Sequence, residues 1–326
     1  MTMANAVRVE RFGPPDAMAM RTVELAAPAA GEVLLRQTAI GVNFIDVYQR
    51  SGAYPMALPF TPGNEGTGIV EAIGPGVTSV LVGDRVAYAA PGGGAYADRR
   101  IVGANWLVRL PAAVDYRTAA AVMLKGLTAE MLLHRVFPVR AGQTVLVHAA
   151  AGAVGLLLCQ WASAIGAHVI GTVGSAEKAR IAAANGCSVA INYREDDFVA
   201  RVKEATAGEG VDVVYDSVGK DVFPASLDCL KPFGMWVLFG QSSGAPPPLE
   251  MQLLNRKGCL FATRPTVFTY VGKRDALDTA VANVFGALAA GTIRVAINQT
   301  FPLAEAAAAH RALEARSTTG ATVLLP

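Results

Sequence analysis

Soft metal ligands are scarce in this chain and never gathered. Its four cysteines, Cys159, Cys187, Cys229 and Cys259, stand far apart with no CxxC pair. That suits reduced thiols better than a disulfide framework or a cysteine-rich zinc site. His134, His148, His168 and His310 cluster neither with one another nor with a cysteine, whereas a catalytic zinc needs three ligands and an open fourth position. An excess of one charge is missing too: 28 Lys and Arg against 26 Asp and Glu leave +2, which gives no electrostatic footing for nucleic acid or an anionic membrane. The opening MTMANAVRVERFG lacks the apolar core of a secretory signal. Together with the thiols it points to a cytoplasmic protein. There is no internal repeat, and the one Ala-rich tract, 304–309, fits a helix.

The most telling absence is local. Between Arg140 and Glu177 there is no Lys, Arg, Asp or Glu. Residues 144–148 form a short β-branched run suited to a strand buried on both faces. Residues 152–165 are long enough for a helix and apolar nearly all round; Gly166 fits its C-cap, and 168–173 read as a second buried strand. A membrane span is the rival for so apolar a stretch, but Gly152, Gly155, Gly166 and Gly171 and two strand-like pieces argue for a buried sheet. Laid on the dinucleotide fingerprint G-x-G-x-x-G, Ala150, Gly152 and Gly155 take the glycine positions. Gly152 then lets a pyrophosphate approach the backbone, Gly155 lets helix and strand pack closely, and Ala150 has to tolerate the tight turn. Free N–H groups at the helix start face the phosphates.

The first 120 or so residues read as mostly β, with strands predicted at 33–37, 68–73 and 86–90 between Gly-Pro and Pro-Gly pairs. NFIDVYQRSGAY, 43–54, is expected to be a loop or helical turn, and 119–129 a linker turning into a helix. From Thr144 strands and helices alternate: strands at 189–192, 211–216, 235–240 and 259–263, helices near 176–185, 196–206 and 221–230. This predicts an α/β chain whose six-stranded parallel sheet is of the doubly wound Rossmann kind. Helices follow at 276–290 and 303–315. A final strand, 321–325, has no seventh unit to join and is expected to return to the β-rich part.

Several segments, in order, are individually specific: GVNFIDVYQRSGAYP, TPGNEGTGIVEAIGPGV, GDRVAY, LKGLTA, VHAAAGAVGLLLCQWA, GTVGSAEK, INYRE, VVYDSVG, LFGQSSG and AHRALEARSTTGATVLLP. Over essentially its whole length the chain resembles the NADPH-dependent quinone oxidoreductases, the zeta-crystallin-like branch of the medium-chain dehydrogenase/reductase superfamily. The resemblance implies a GroES-like catalytic domain from residues 1–125 and 265–326, a Rossmann cofactor domain from 126–264, and an active cleft between them. It also implies a homodimer joined edge to edge near 258–263. Ala153 departs from the branch, which usually has a second glycine there. In the zinc alcohol dehydrogenases of the superfamily a cysteine stands where this chain has Asn43, and a histidine follows the glycine where Asn64 follows Gly63. The four-cysteine block of structural zinc is absent, so the resemblance implies a metal-free enzyme.

Without a Lewis acid, a quinone or conjugated enone is the easier hydride acceptor, because the added charge spreads over a π-system. Tyr48 and Tyr54 read by themselves as loop packing; the resemblance makes them the flat, partly apolar wall of the acceptor pocket, with phenolic donors for a developing enolate. Asn43 and Asp46 either hydrogen-bond the cofactor or fix their own loop, and both join the catalytic candidates. Lys125 alone reads as a solvated linker charge, whereas the resemblance sets it and Thr128 near the nicotinamide end of the cofactor.

The phosphate turn contributes Gly152, Ala153, Val154 and Gly155. At the ends of later strands Asp216 and Ser217, then Phe239, Gly240, Ser242 and Ser243, either line the cofactor site or cap the next helix. Arg264 and Arg316 correspond to arginines near the cofactor in relatives and otherwise read as surface charges. For the adenosine end, an NAD-type acid is missing after the second strand; Gly174 and Ser175 leave room, and Lys178 and Tyr193 can meet a 2′-phosphate, which favours NADPH. Glu177 is the rival acid, read as a first-turn helix residue. His148 lacks a nearby acid or nucleophile and reads as a core histidine. An enone or enoyl-thioester reductase on the same scaffold is the alternative enzyme, and a non-catalytic nucleotide- or RNA-binding protein the alternative of another class.

Overall fold

Two antiparallel strands open the chain where no run of apolar residues marks them: β1 (Thr2–Val9) and β2 (Met18–Leu25) pair along their full length. Buried and exposed positions interleave in both, and β2 stays largely at the surface. The computed structural model describes residues 2–326 and divides them into a first unit, 2–127, 270–282 and 295–326, and a second, 128–269 and 283–294.

In the first unit β3 (Glu32–Gly41) is followed by α1 (Phe44–Ser51), β4 (Glu65–Ile73), β5 (Arg85–Ala89), β6 (Arg99–Gly103) and β7 (Leu107–Arg109). The strand predicted at 33–37 thus runs on to Gly41, and the segment 43–54 supplies a helix of its own. Helix α1 ends at Gly52, whose φ of 84° is the left-handed conformation glycine adopts without strain. Inward residues Val33, Leu35, Ile40, Val70, Val86 and Leu107 build the core. Helix α2 (Tyr116–Glu130) then runs to a π-helical turn, Met131–Val136.

The second unit holds β8 (Thr144–Val147), α3 (Ala153–Ile165), β9 (His168–Val173), α4 (Ala176–Ala183), β10 (Val189–Asn192), α5 (Phe198–Ala205), β11 (Val211–Asp216), β12 (Leu230–Leu238), α6 (Met251–Arg256) and β13 (Phe261–Thr263). The strands form one parallel sheet in the order β10-β9-β8-β11-β12-β13. That order reverses between β8 and β11, the switch point at which doubly wound sheets open a crevice beyond the strands' C-terminal ends. Strand β11, VDVVYD, is buried throughout, as a central parallel strand must be. One predicted helix is corrected: 221–230 yields only a 3₁₀ turn, Ala225–Cys229. Pro224 lacks the N–H a longer helix needs and disfavours helical backbone before it.

Helices α7 (Val267–Tyr270) and α8 (Arg274–Ala289) precede β14 (Ile297–Pro302), α9 (Ala306–Glu314) and β15 (Ala321–Leu325). Residues 283–294 belong to the second unit, where Asn283 donates to Glu130 (2.9 Å) and the Arg294 N–H to Gln160 (2.7 Å). The last strand does return to the first unit. It inserts between β14 and β3, completing a seven-stranded sheet ordered β14-β15-β3-β4-β5-β7, with β6 on the other half of the β3 edge.

Candidate functional site

In the second unit the turn after β8 is built for close approach. Ala149, not Ala150, takes the strained conformation, with φ 53°. Gly152 is the N-cap of α3. A Cβ at Gly155 would sit 2.9 Å from the Ala150 backbone and nearer still to the Ala149 carbonyl oxygen, so the helix docks on the turn only because that position is bare. At Gly152 the picture is opposite: a Cβ would meet nothing but the Ala149 oxygen, at 3.2 Å, and otherwise open space. Internal packing does not demand that glycine. Ala153 and Val154 continue the half-buried rim beside it.

A second bare position lies at the end of β9. A Cβ at Gly174 would come within 2.7 Å of the Tyr193 hydroxyl and 3.7 Å of Arg194 Nε. Ser175 caps α4 by accepting the Lys178 backbone N–H (3.2 Å), which leaves its own O–H to donate. Lys178 is half-buried, Glu177 is exposed in the first turn, and Tyr193 and Arg194 are exposed at the end of β10. The structure therefore gathers Gly174, Ser175, Lys178 and Tyr193, and adds Arg194. Sequence reading missed that arginine, although it stands inside the INYRE segment.

Past the switch point, Asp216 is fully enclosed and its carboxylate is spent on the fold. Oδ1 accepts the N–H groups of Val218 (2.7 Å) and Gly219 (2.9 Å), and Oδ2 accepts Trp236 Nε1–H (3.1 Å). The backbones of Phe239 and Gly240 donate to the Asp216 carbonyl, and Ser242 N–H to Ser217 O (3.0 Å), so the ends of β11 and β12 are laced together. Arg264, just past β13, donates to Leu238 O (3.2 Å) and Gln241 Oε1 (2.9 Å). Thr128 opens this unit within α2. His148 is a core residue, its ring nitrogens 2.8 Å from Thr172 Oγ1 and 2.9 Å from Ser226 Oγ, and burial holds its pKa below the usual range. Arg316 lies in the first unit, with φ 55°.

The remaining candidates form a polar cluster inside the first unit, centred on the start of α1. Asn43 is the N-cap; its N–H donates to Asp46 Oδ2 (2.9 Å) and its amide to Glu65 Oε1 (2.8 Å). Lys125 is not a solvated linker charge. It is 3% exposed and ion-paired with the fully buried Glu65, whose other oxygen accepts the Leu124 N–H (2.7 Å). Asp46 is enclosed as well. Besides Asn43 it accepts from Asn64 Nδ2 (2.7 Å) and the Tyr96 hydroxyl (3.0 Å), and Tyr96 lies 2.9 Å from His310 Nε2. Burial raises the Asp46 pKa to about 6 against the pull of those donors. The native state thus holds this proton more tightly than the unfolded chain, and the stability the group contributes falls as pH rises from 3.8 to about 6.

On the far side of α1, Tyr48 packs between Phe44 (ring centroids 6.0 Å apart) and Tyr54 (5.0 Å). Tyr48 and Tyr54 are thus brought together, with Phe44 as a third ring the sequence reading left out. Glu65, Tyr96 and His310 were also missed; each depends on partners distant in sequence.

Two family models match the chain: an alcohol dehydrogenase GroES-like domain over residues 29–112 and a zinc-binding dehydrogenase over 153–285. The chain is 48% identical to a quinone oxidoreductase of Pseudomonas aeruginosa, covering 99% of this chain and 100% of that protein. It is 44% identical to a 2-haloacrylate reductase of a Burkholderia species, covering 99% of each. A crystal structure of Escherichia coli quinone oxidoreductase complexed with NADPH superimposes with a TM-score of 0.97 at 44% identity, covering 99% of this chain and 100% of that one. The zinc in the second model's description does not suit the residues present. Asn43 and Asn64 spend their amide N–H groups on oxygens of Glu65, Asp46 and Gln49, and among the described residues no three His, Cys, Asp or Glu gather as a metal site. Among the described residues no helix is long and apolar enough to cross a membrane.

Proposed function

Because the chain belongs to the quinone oxidoreductase family of the medium-chain dehydrogenase/reductases, we propose that it reduces quinones with NADPH as the reductant, without a metal. The observation that carries this reading is the full-length match to quinone oxidoreductases, one of them solved with NADPH. When bound, NADPH supplies a hydride. Gly152, Ala153 and Val154 would hold the pyrophosphate on their open face, where the first N–H groups of α3 and the helix dipole favour anionic oxygens. Lys125 and Thr128, the ends of β11 and β12 at Asp216, Ser217, Phe239, Gly240 and Ser242, and Arg264 and Arg316 complete the cofactor set. Asp216 serves it by fixing the turn. Tyr48 and Tyr54 orient the flat acceptor and Asn43 holds the loop start. The first unit, 2–127, 270–282 and 295–326, serves the acceptor and the second, 128–269 and 283–294, the cofactor; this moves 283–294 out of the 265–326 stretch that the resemblance gave to the acceptor domain. The protein is a cytoplasmic homodimer joined along 258–263, a reading supported by the edge position of β13 and the exposed Phe261.

Ser175, Lys178, Tyr193 and Arg194 hold the adenosine 2′-phosphate. Lys178→Ala should weaken NADPH binding roughly tenfold to a hundredfold, the cost of one charge-assisted hydrogen bond, and leave NADH almost untouched. Equal losses for the two cofactors in a fluorescence titration would count against the assignment.

The function is tested by following NADPH oxidation with a panel of quinones and enones, scored by kcat/KM. Quinones should lead, and Tyr48→Ala or Tyr54→Ala should lower kcat/KM for them while NADPH affinity holds. The 2-haloacrylate reductase relative favours a second reading, reduction of an activated carbon–carbon double bond; enones or halogenated acrylates leading the panel would establish it instead.

A further inference from the structure

Helix α1 carries two pairs of residues spaced i and i+4, and they face different ways. Phe44 and Tyr48 form the aromatic side, with the Tyr48 ring also tilted against Tyr54. Asp46 and Arg50 lie two residues further round, about 200° away on a helix of 3.6 residues per turn. This second side meets an i, i+4 pair on α9, His310 and Glu314. Arg50, only 1% exposed, donates two hydrogen bonds to the Glu314 carboxylate, at 2.9 and 2.6 Å. Asp46 and His310 are joined through the Tyr96 hydroxyl.

Proton accounting gives the second link a direction. Tyr96 has one hydroxyl proton and two partners. Asp46 Oδ2 also accepts the Asn43 N–H, so as a carboxylate it can only receive from Tyr96. The tyrosine oxygen must then accept from His310 Nε2–H. That tautomer leaves Nδ1 with a bare lone pair, and Nδ1 is indeed a buried ring atom with no hydrogen-bond partner. Burial first, and then the Arg50 charge, push the His310 pKa down to about 3, which keeps the ring neutral. The chain His310→Tyr96→Asp46 is therefore fully specified, and its end sets the carboxylate that receives the N–H of Asn43, the N-cap of α1.

We infer that His310, Tyr96 and the Arg50–Glu314 pair are positioning groups for the acceptor wall: they fix the rotation of α1 from its polar side and thereby the placement of Phe44 and Tyr48 on the other. Their bonds run to Arg50 and Asp46 on the polar side of α1, so their effect passes through the helix. The inference rests on the quinone-reductase reading only for the choice of acceptor.

The test compares Tyr96→Phe, His310→Leu and His310→Gln with the wild type in two assays. Glutamine carries an N–H where the imidazole Nε2–H stands; leucine carries none. Amide hydrogen exchange across residues 43–54 needs no turnover. It should quicken by up to about tenfold in Tyr96→Phe and His310→Leu, the scale of one lost hydrogen bond, and return toward wild type in His310→Gln. In steady-state kinetics the quinone KM should rise by a similar factor in the first two variants, with the NADPH Kd unchanged. Wild-type exchange and KM in both would overturn the inference, as would glutamine and leucine being equally impaired, or quinone and NADPH affinity falling together. If the wild type turned over no quinone, the proposed function would fail while the exchange comparison still decided the role of the clamp.

Discussion

Replacing Lys125 with methionine should lower the stability of the first unit by about 3–5 kcal/mol, the usual cost of stripping one partner from a buried ion pair. The methionine keeps the length of the side chain, so little packing is lost. What remains is the Glu65 carboxylate, with no exposed surface, accepting from the Asn43 amide and the Leu124 N–H but facing no cation. Two neutral donors do not replace a charge in a site closed to water. The carboxylate is then a buried charge without its counter-ion. In a Glu65→Gln background the same lysine substitution should cost much less, because no charge is left to strand. A double-mutant cycle in urea near neutral pH measures the difference. A single-variant loss below about 1 kcal/mol would mean that the pair does not hold the unit together.

The two glycines of the phosphate turn should separate stability from cofactor affinity. Gly155→Ala drives a methyl group into the Ala149 carbonyl and the Ala150 backbone. Neither can retreat without moving α3 off the sheet, since both are main chain in a turn already held at a positive φ. Overpacking of this kind costs about 1–3 kcal/mol, and with the helix displaced NADPH binding should fall too. Gly152→Ala puts its methyl group into open space apart from one oxygen at 3.2 Å. Its melting temperature should stay near wild type, yet the methyl group occupies the ground assigned above to the pyrophosphate, and NADPH should bind at least tenfold more weakly. Differential scanning calorimetry with a fluorescence titration gives both numbers. Loss of stability in Gly152→Ala, or full NADPH affinity in Gly155→Ala, would contradict this division of labour.

What could be read from the chain was what short-range pattern encodes. The strands at 168–173 and 211–216 form over those same residues, because a central parallel strand is apolar on both faces and bounded by turn formers, and the edge strand at 189–192 does so as well. Gly166 closes α3 in the left-handed conformation. Strand β14, INQTFP, shows why others escaped: its inward positions are only half-buried and carry no apolar run. The polar cluster was hidden for a different reason. Lys125 reads as solvated until Glu65, 60 residues earlier, is seen against it, and Tyr96 meets His310 across 214 residues. No periodicity reports such pairings. The strain at Ala149 rather than Ala150 was illegible too, since the fingerprint marks where side chains must be small and not which backbone turns over.

The place of β15 in its sheet sets the order in which a ribosome can deliver a finished protein. Every strand of the parallel sheet has left the exit tunnel before β15 is made, since β13 ends at Thr263. Strand β3 is complete by Gly41, and β6 covers its Glu32–Arg36 half early, but the edge at Ile40 and Gly41 pairs with Leu324 and Val323. That stretch of backbone, with the apolar core beneath it, stays open through the synthesis of some 280 further residues. A nascent chain paused before Ala321 therefore presents a ready nucleotide-binding module and an unzipped strand edge, the kind of surface that holding chaperones occupy and that pairs with other nascent chains when they do not.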